Sequence, residues 1–453
     1  MFKSDPISSL LERARKKRAY IHDRFSPDRL NGCRPLDVQN VLVIDSASRS
    51  GSSFLHHLLA RHRDVLSLNG EGSVFERLHD VGIARSANDS DLIADDGTVS
   101  PGTLSLIAED ILKDSGTLCG DVVAGGLRRD HFLADCVQRL TLQYAEIDLD
   151  PEGALEICAR ALGGRSVASP DFSLAGYWRA VLEGLRGASV PAADAYYDLR
   201  GSDPTADFPE SGNVLPPPFA DFALEDPPFV VPRPRALPAP KELASKTLLL
   251  KSSADCYHLW MLRRMFPKAH FKFVVLTRNP AGAISGLVDG WLSNGFYSQN
   301  LGRIAPLDIK GYSRAGLPWT TKWWNFDLPP GWAEVRTNSI EEVCGLQWTS
   351  ANSHILADIE SKVIDDAVTV RYESLLEPAS LSKELDRIFA FAGLAASPSP
   401  VRGGSPSIMS VTPPAHQKWR KRRDALGPLV STGKIASLAQ ELGYDPKEWE
   451  NWA

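Results

Sequence analysis

The first residues whose types and spacing suit chemistry lie in SASRSGSSF, residues 46–54. An apolar run, Val41–Asp45 (VLVID), precedes them, and Phe54, Leu55, Leu58 and Leu59 follow at helical spacing. This pattern predicts a strand, a small-residue loop and a helix. Amides at a helix N-terminus point outward with partial positive charge and bind anions. Gly51 lets the backbone come close to a ligand. Ser50, Ser52 and Ser53 add hydroxyl donors, and Arg49 adds a planar, permanently charged fork. Together they describe a cradle for a phosphate or sulfate ester; a serine-rich turn that only caps a helix is the plainer alternative. The loop is not of the Walker A type, which needs Lys and then Ser/Thr after its last glycine. A second cation, Arg278, follows the run Phe271–Thr277 (FKFVVLT), and Pro280 suits the first turn of a helix directly after it. Ligands of open α/β sheets bind at the carboxyl ends of strands, so Arg49 and Arg278 are expected on one edge, facing a ligand with two anionic groups. A surface arginine paired with a carboxylate is the alternative for Arg278.

The elements that must position these residues are legible in outline. Thr247–Lys251 (TLLLK) and Ala367–Tyr372 (AVTVRY) read as further strands. Helices are expected near 254–266, 341–360 and 379–392, the last with Leu381, Leu385, Ile388 and Phe389 on one face. Strands separated by helices imply a parallel sheet with right-handed crossovers. The expected class is α/β, a central parallel β-sheet of about four to five strands flanked by helices. Residues 80–245 form a long insertion with helical stretches near 103–113, 131–145 and 173–186. Its segment 204–240 holds 11 of the chain's 32 prolines, which block helices and central-strand ladders, and reads as an extended connection or lid. Trp319, Trp323, Trp324 and Trp332 crowd one segment and are either core or the lining of an acceptor pocket.

Composition narrows the function classes. The chain has 453 residues, 43% of them hydrophobic and 23% charged, which excludes a disordered or fibrous protein. Lys plus Arg is 50 and Asp plus Glu 56, a net charge of −6, which weighs against a general nucleic-acid binder. The six cysteines, Cys33, Cys119, Cys136, Cys158, Cys256 and Cys344, form no CxxC pair or tight Cys/His cluster, so free thiols, a reducing compartment and no zinc site are expected. No apolar run approaches the length of about 18 residues that spans a membrane, and residues 10–24 (LLERARKKRAYIHDR) lack the apolar region of a signal peptide. The basic N-terminal segment reads as a solvated helix, with contact to an anionic membrane surface as the alternative.

The combination strand–RSGSSF–helix, then strand–TRNP–helix, resembles the sulfotransferases that use 3′-phosphoadenosine 5′-phosphosulfate (PAPS), closest to their carbohydrate-type and bacterial branches. VRYESLLEP (370–378) and HQKWRK (416–421) are similar to later motifs of that family. The resemblance covers about 41–79 and 245–425 and implies a P-loop-like sulfotransferase fold. It also implies that Arg49, Ser50, Gly51, Ser52, Ser53 and Phe54 hold the 5′-phosphosulfate. Arg278 and a serine on the next helix would hold the 3′-phosphate. The family's serine position is Gly286 here; the serine present is Ser285, and one residue is about 100° of helix rotation.

The acceptor must lose a proton, so a general base is required. Cytosolic members carry a histidine after a Lys-Thr pair; the matching stretch is Lys251-Ser252-Ser253, with Ser253 in the histidine's place. Carbohydrate-type members carry a glutamate after the first helix, and VLSLNGEG (65–72) offers Glu71, with Glu76 and His79 in reserve. Lys251 either stabilises charge near the leaving oxygen or is a strand-end surface lysine. Tyr372 is an adenine neighbour or ordinary core, and His258 is expected to pack. Lys418, Trp419 and Arg420, with Lys421, suit a basic loop closing over the 3′-phosphate. The expected activity is in-line sulfuryl transfer from PAPS, leaving PAP, to a hydroxyl of a small-molecule or carbohydrate acceptor, without a metal. A nucleotide kinase or other P-loop NTPase, and a non-catalytic PAP(S)-binding protein, are the rivals. No nucleic-acid or integral membrane partner is expected, and the location is expected to be cytoplasmic. The expected division is an N-terminal basic helical segment (1–35), a sulfotransferase domain (36–425) and a C-terminal helical tail (426–453).

Overall fold

Short apolar runs rich in β-branched residues build one parallel sheet. The computed structural model describes residues 5–28, 32–118, 127–169, 171–199, 215–293, 296–395, 408–411 and 415–452. Helix α1 (Pro6–Phe25) leads into strand β1 (Asn40–Asp45), helix α2 (Ser52–Leu59), strand β2 (Val65–Ser67) and helix α3 (Ser73–Leu78). A helical stretch follows: α4 (Pro101–Asp114), α5 (Arg129–Gln143), α6 (Pro151–Leu162) and α7 (Leu174–Gly187). The two-residue strand β3 (Thr117–Leu118) pairs antiparallel with β4 (Arg235–Ala236). After α8 (Pro240–Ser245) the chain re-enters the sheet through β5 (Thr247–Leu250), α9 (Leu259–Met265), β6 (His270–Thr277) and α10 (Pro280–Trp291). Strands β7 (Tyr297–Asn300) and β8 (Trp323–Asn325) pair antiparallel, and α11 (Trp332–Val335) and α12 (Ile340–Glu360) follow. Strand β9 (Ala367–Arg371), α13 (Pro378–Ala392), α14 (Arg423–Ser431) and α15 (Gly433–Glu441) end the fold.

The sheet has five parallel strands in the order β2-β5-β1-β6-β9. This is the α/β fold, a central parallel β-sheet flanked by helices, that the strand and helix pattern implied. The fifth strand, β2, went unseen because three residues carry no periodicity to read. Alternation along the strands feeds two faces. Val41 and Val43 of β1 and Phe273 and Val275 of β6 join the core under α9, α10 and α12. Leu42, Ile44, Val274 and Leu276 face the opposite core, which α2 and α13 complete with Leu55, Leu58, Leu385 and Ile388. Consecutive sheet strands β5 and β6 lie on either side of β1, and a crevice opens at the carboxyl ends of strands where the winding switches direction.

A second core lies outside the sheet. Helices α5, α6 and α7 pack Val137, Leu140, Cys158, Trp178 and Leu182 together. Helix α1 belongs to both cores: Leu10, Leu11 and Ala14 reach the first and Ile21 the second. Each buried leucine or isoleucine there contributes about 1.5–3 kcal/mol. The expectation of a solvated basic helix is therefore corrected. Arg18 is only 4% exposed; its Nε donates to Asp110 Oδ1 at 2.8 Å and its Nη1 to Gln138 at 2.8 Å. Charge count along the helix hid a buried, paired cation. Three tryptophans of the 319–332 segment are also core: Trp323, Trp324 and Trp332 are all buried, and none of the four lines the cavity described below.

Cys33, Cys136, Cys158, Cys256 and Cys344 are free and buried; Cys119 and residues 204–214 of the proline-rich stretch lie outside the described residues. Among the described residues no helix is long and apolar enough to cross a membrane.

Candidate functional site

All five strands end at one cavity of about 430 Å³. Beyond β1 lie Ser48, Arg49 and Gly51; beyond β2, Glu71; beyond β5, Lys251; beyond β6, Arg278; beyond β9, Tyr372. Residues 224–235 line the opposite wall, joined by Arg139 of α5.

The loop after β1 holds two left-handed residues, Arg49 at φ 65° and Gly51 at φ 95°. A non-glycine residue there is strained and is held by its surroundings. The clamp is Arg278, whose Nη1 donates to the Arg49 carbonyl at 2.8 Å. Gly51 is required twice over: its φ is positive, and a Cβ would sit 2.3 Å from the ring of Tyr372. No side chain caps α2, so its first amides open toward the cavity. Ser48 Oγ donates to Asp327 Oδ1, and Tyr257 Oη donates to Asp327 Oδ2 at 2.9 Å, which anchors the loop on the segment after β8. Burial pushes the Asp327 carboxyl up to about 7.

Arg278 stacks on Tyr372, 4.3 Å from the ring centroid, and lies over Gly282 and Gly286 of α10. Its buried Nε has no hydrogen-bond partner. The helix start beneath it is built from TRNP: Asn279 Oδ1 accepts from Gly282 N at 2.7 Å, and Pro280 supplies the first turn. Glu373, from the YES part of the later motif, accepts from Asn279 N at 2.9 Å and from Asn279 Nδ2 at 2.7 Å. Two separate motifs thus hold one another. Arg49 extends away from its own loop. Its Nη1 donates to Met409 O at 2.6 Å and its Nε to Gly286 O at 3.3 Å, between the rings of Phe296 and Phe326. Burial, with Arg278 adding, pushes its guanidinium down to about 10.

On the other side, Lys251 Nζ donates to Ser53 Oγ at 3.0 Å and pairs with Glu71. Glu71 also accepts from the Ser253 amide at 3.4 Å. The reserve residues Glu76 and His79 do not line the cavity. Glu76 is buried beside His258, and His79 bonds Asp110 at 2.8 Å.

Ser285 and Gly286 both line the cavity. Ser285 accepts from Arg422 Nη1 at 3.0 Å, and Arg422 also pairs with Asp289 at 2.7 Å. Lys418 reaches the cavity, and burial pushes its ammonium down to about 8. Trp419 and Arg420 are corrections. Trp419 is 1% exposed and its indole donates to Trp452 O at 3.2 Å; Arg420 is exposed, beside Glu450. The basic run is a 3₁₀ turn, Lys418–Arg422, so neighbours in sequence point in different directions. Of this run only Lys418 lines the cavity; Arg422, at the end of the turn, reaches Ser285 and Asp289, which do line it.

Sequence reasoning also missed His56 and His57. They follow Ser53 at i+3 and i+4 on α2, and both line the cavity with Ala60. Burial, with Lys251 and Arg235 near, pushes His56 down to about 3, and burial with Arg233 and Arg61 does the same for His57. Both imidazoles are neutral at pH 7.

The fold and cavity define an α/β protein with a crevice at the carboxyl edge of its parallel sheet, lined by Arg49, Arg278 and the uncapped start of α2. No protein-family model and no curated protein matches the chain. It is similar to the solved sulfotransferase domain from the curacin biosynthetic pathway, at 12% identity over 90% of this chain and 99% of that one, with a TM-score of 0.35. It is similar to the sulfotransferase domain of the Synechococcus PCC 7002 olefin synthase, at 14% identity over 91% and 98%, with a TM-score of 0.34. A sulfotransferase from Mycobacterium avium is 14% identical over 84% of this chain and 69% of that one, with a TM-score of 0.30.

Proposed function

We propose that the protein is a PAPS-dependent sulfotransferase acting on a hydroxyl of a small-molecule or carbohydrate acceptor. The observation that carries this reading is the convergence of five strand ends on one cavity, with Arg49, Arg278, the α2 amides and the Lys251–Glu71 pair on its walls. The residues fit a doubly anionic nucleotide: the unpartnered Arg278 Nε and the open first turn of α2 are donors for two separate anionic groups. The donor, when bound, supplies an activated sulfuryl group whose S–O bond to phosphate breaks as the new S–O bond forms.

The chain's own residues do the rest. The loop amides and Ser52 and Ser53 orient the phosphosulfate. Lys251 places positive charge beside Ser53, where negative charge grows on the leaving phosphate. Glu71 takes the acceptor's proton from the far side of the same lysine. Arg278, with Ser285 and Lys418 near it, holds the 3′-phosphate. Gly286 lies under the Arg278 guanidinium, where a Cβ would make an ordinary contact with its Nη1 at 3.4 Å. The long insertion supplies the wall against which the acceptor lies. The test is PAP release from PAPS across a panel of hydroxylated acceptors, with and without Mg²⁺. Acceptor-dependent release that needs no Mg²⁺ is expected, and ATP turnover that requires Mg²⁺ would replace the reading with an NTPase.

A further inference from the structure

Behind the cavity, a second set of side chains has no part in the chemistry above. Glu76 on α3 and Asp255 and His258 in the turn just before α9 are all buried, and one ligand atom from each lies within 4.8 Å of the others. His258 Nδ1 donates to the Asp91 carbonyl at 2.9 Å, which directs Nε2 into the cluster. Nε2 lies 3.3 Å from Glu76 Oε2 but makes no hydrogen bond, and His258 is 3% exposed. A ring nitrogen oriented by a carbonyl on its other side is the arrangement found at metal-binding histidines.

We infer that Glu76, Asp255 and His258 form a buried site for a divalent transition-metal ion, best matched by Zn²⁺. One imidazole nitrogen and two carboxylates suit zinc, and N/O sites bind it more tightly than manganese or iron. Two carboxylates, a neutral imidazole and Zn²⁺ sum to zero charge, which suits burial. The role is structural. Glu76 follows the segment that carries Glu71, and Asp255 and His258 follow the segment that carries Lys251, so the ion ties together the two connections that supply the Glu71–Lys251 pair. The three ligands are spread over more than 180 residues, so no sequence motif announces them. The inference does not depend on what the cavity binds.

The test uses the full chain. Purified protein is analysed for bound metal, stripped with a chelator, and titrated with Zn²⁺ while its melting temperature is followed; Co²⁺ serves as a spectroscopic substitute. About one equivalent of zinc per chain is expected, with a rise of about 5 °C or more on readdition to stripped protein. The Co²⁺ form should show visible d–d bands of a low-coordinate site. Glu76→Gln and His258→Gln should each weaken zinc by more than about 100-fold. Absence of zinc binding by wild-type protein, with a melting temperature indifferent to zinc and chelator, overturns the site and leaves a His258–Glu76 ion pair. Equal zinc binding by the variants overturns it as well. The wild-type arms decide the matter if a variant does not fold.

Discussion

The two halves of the cavity are built in different ways. The half at β1, β6 and β9 comes from compact motifs in which neighbouring residues cooperate: RSGSS forms a left-handed loop, TRNP caps a helix, and YES reaches across to hold TRNP. The half at β2 and β5 is assembled over long sequence distances. Glu71 meets Lys251 180 positions later, and its wall comes from 224–235 and from α5. The first half has the donors for a fixed anionic ligand. The second has neutral histidines, paired carboxylates and apolar surface, and is the half to which the proposed function assigns the acceptor.

The largest expected effects separate these halves. Glu71→Gln should lower turnover by about 10²–10⁴-fold with nucleotide affinity unchanged to within about threefold. His56→Gln, on the same wall, is the control: a larger loss from it, by steady-state kinetics, moves the base from Glu71 to His56. Arg278→Ala should weaken PAP by about 100-fold or more, and a nucleotide without the 3′-phosphate far less. Equal weakening of both, by calorimetry, would mean that Arg278 only clamps the Arg49 carbonyl.

Smaller effects sharpen the comparison. Gly51→Ala adds a Cβ against Tyr372 at a positive φ and should weaken the nucleotide about 10–100-fold. Adding Tyr372→Leu relieves the clash but not the strain, so only part of the affinity should return. The mildest effect is a pH dependence. The Lys418 ammonium titrates at about 8 in the free protein, and a bound anion favours its charged form. Affinity is therefore full on the acid side and falls several-fold as pH rises from about 7 to about 9. Lys418→Met should bind more weakly and lose that slope.

This division also explains what could be read from the sequence. The β1 loop, Arg278 with its helix start, and the strand order's parallel character follow from local periodicity and turn chemistry, and the structure brings those residues to one edge. Strand β2 is too short to show a period. Helix α6 was overlooked although Asp150 and Pro151 mark its start, with Asp150 Oδ2 accepting from Gly153 N at 2.8 Å. Trp419 and Arg420 were placed at the site by adjacency in a basic run, whereas in the tight helical turn only Lys418 lines the cavity. Helix α1 was judged by its charges rather than by Leu10, Leu11, Ala14 and Ile21, which share a buried face. His56 and His57 carry no motif and gain meaning only because α2 turns that face to the cavity.

The central claim is that the β1–β6–β9 half is a site for a nucleotide with a 3′-phosphate. Calorimetric titration of the full chain with PAP, with and without EDTA and against ADP, tests it most directly. Tight binding of PAP that is indifferent to EDTA and lost with the 3′-phosphate is the expected result. Absence of PAP binding, or equal binding of ADP that requires Mg²⁺, would contradict it.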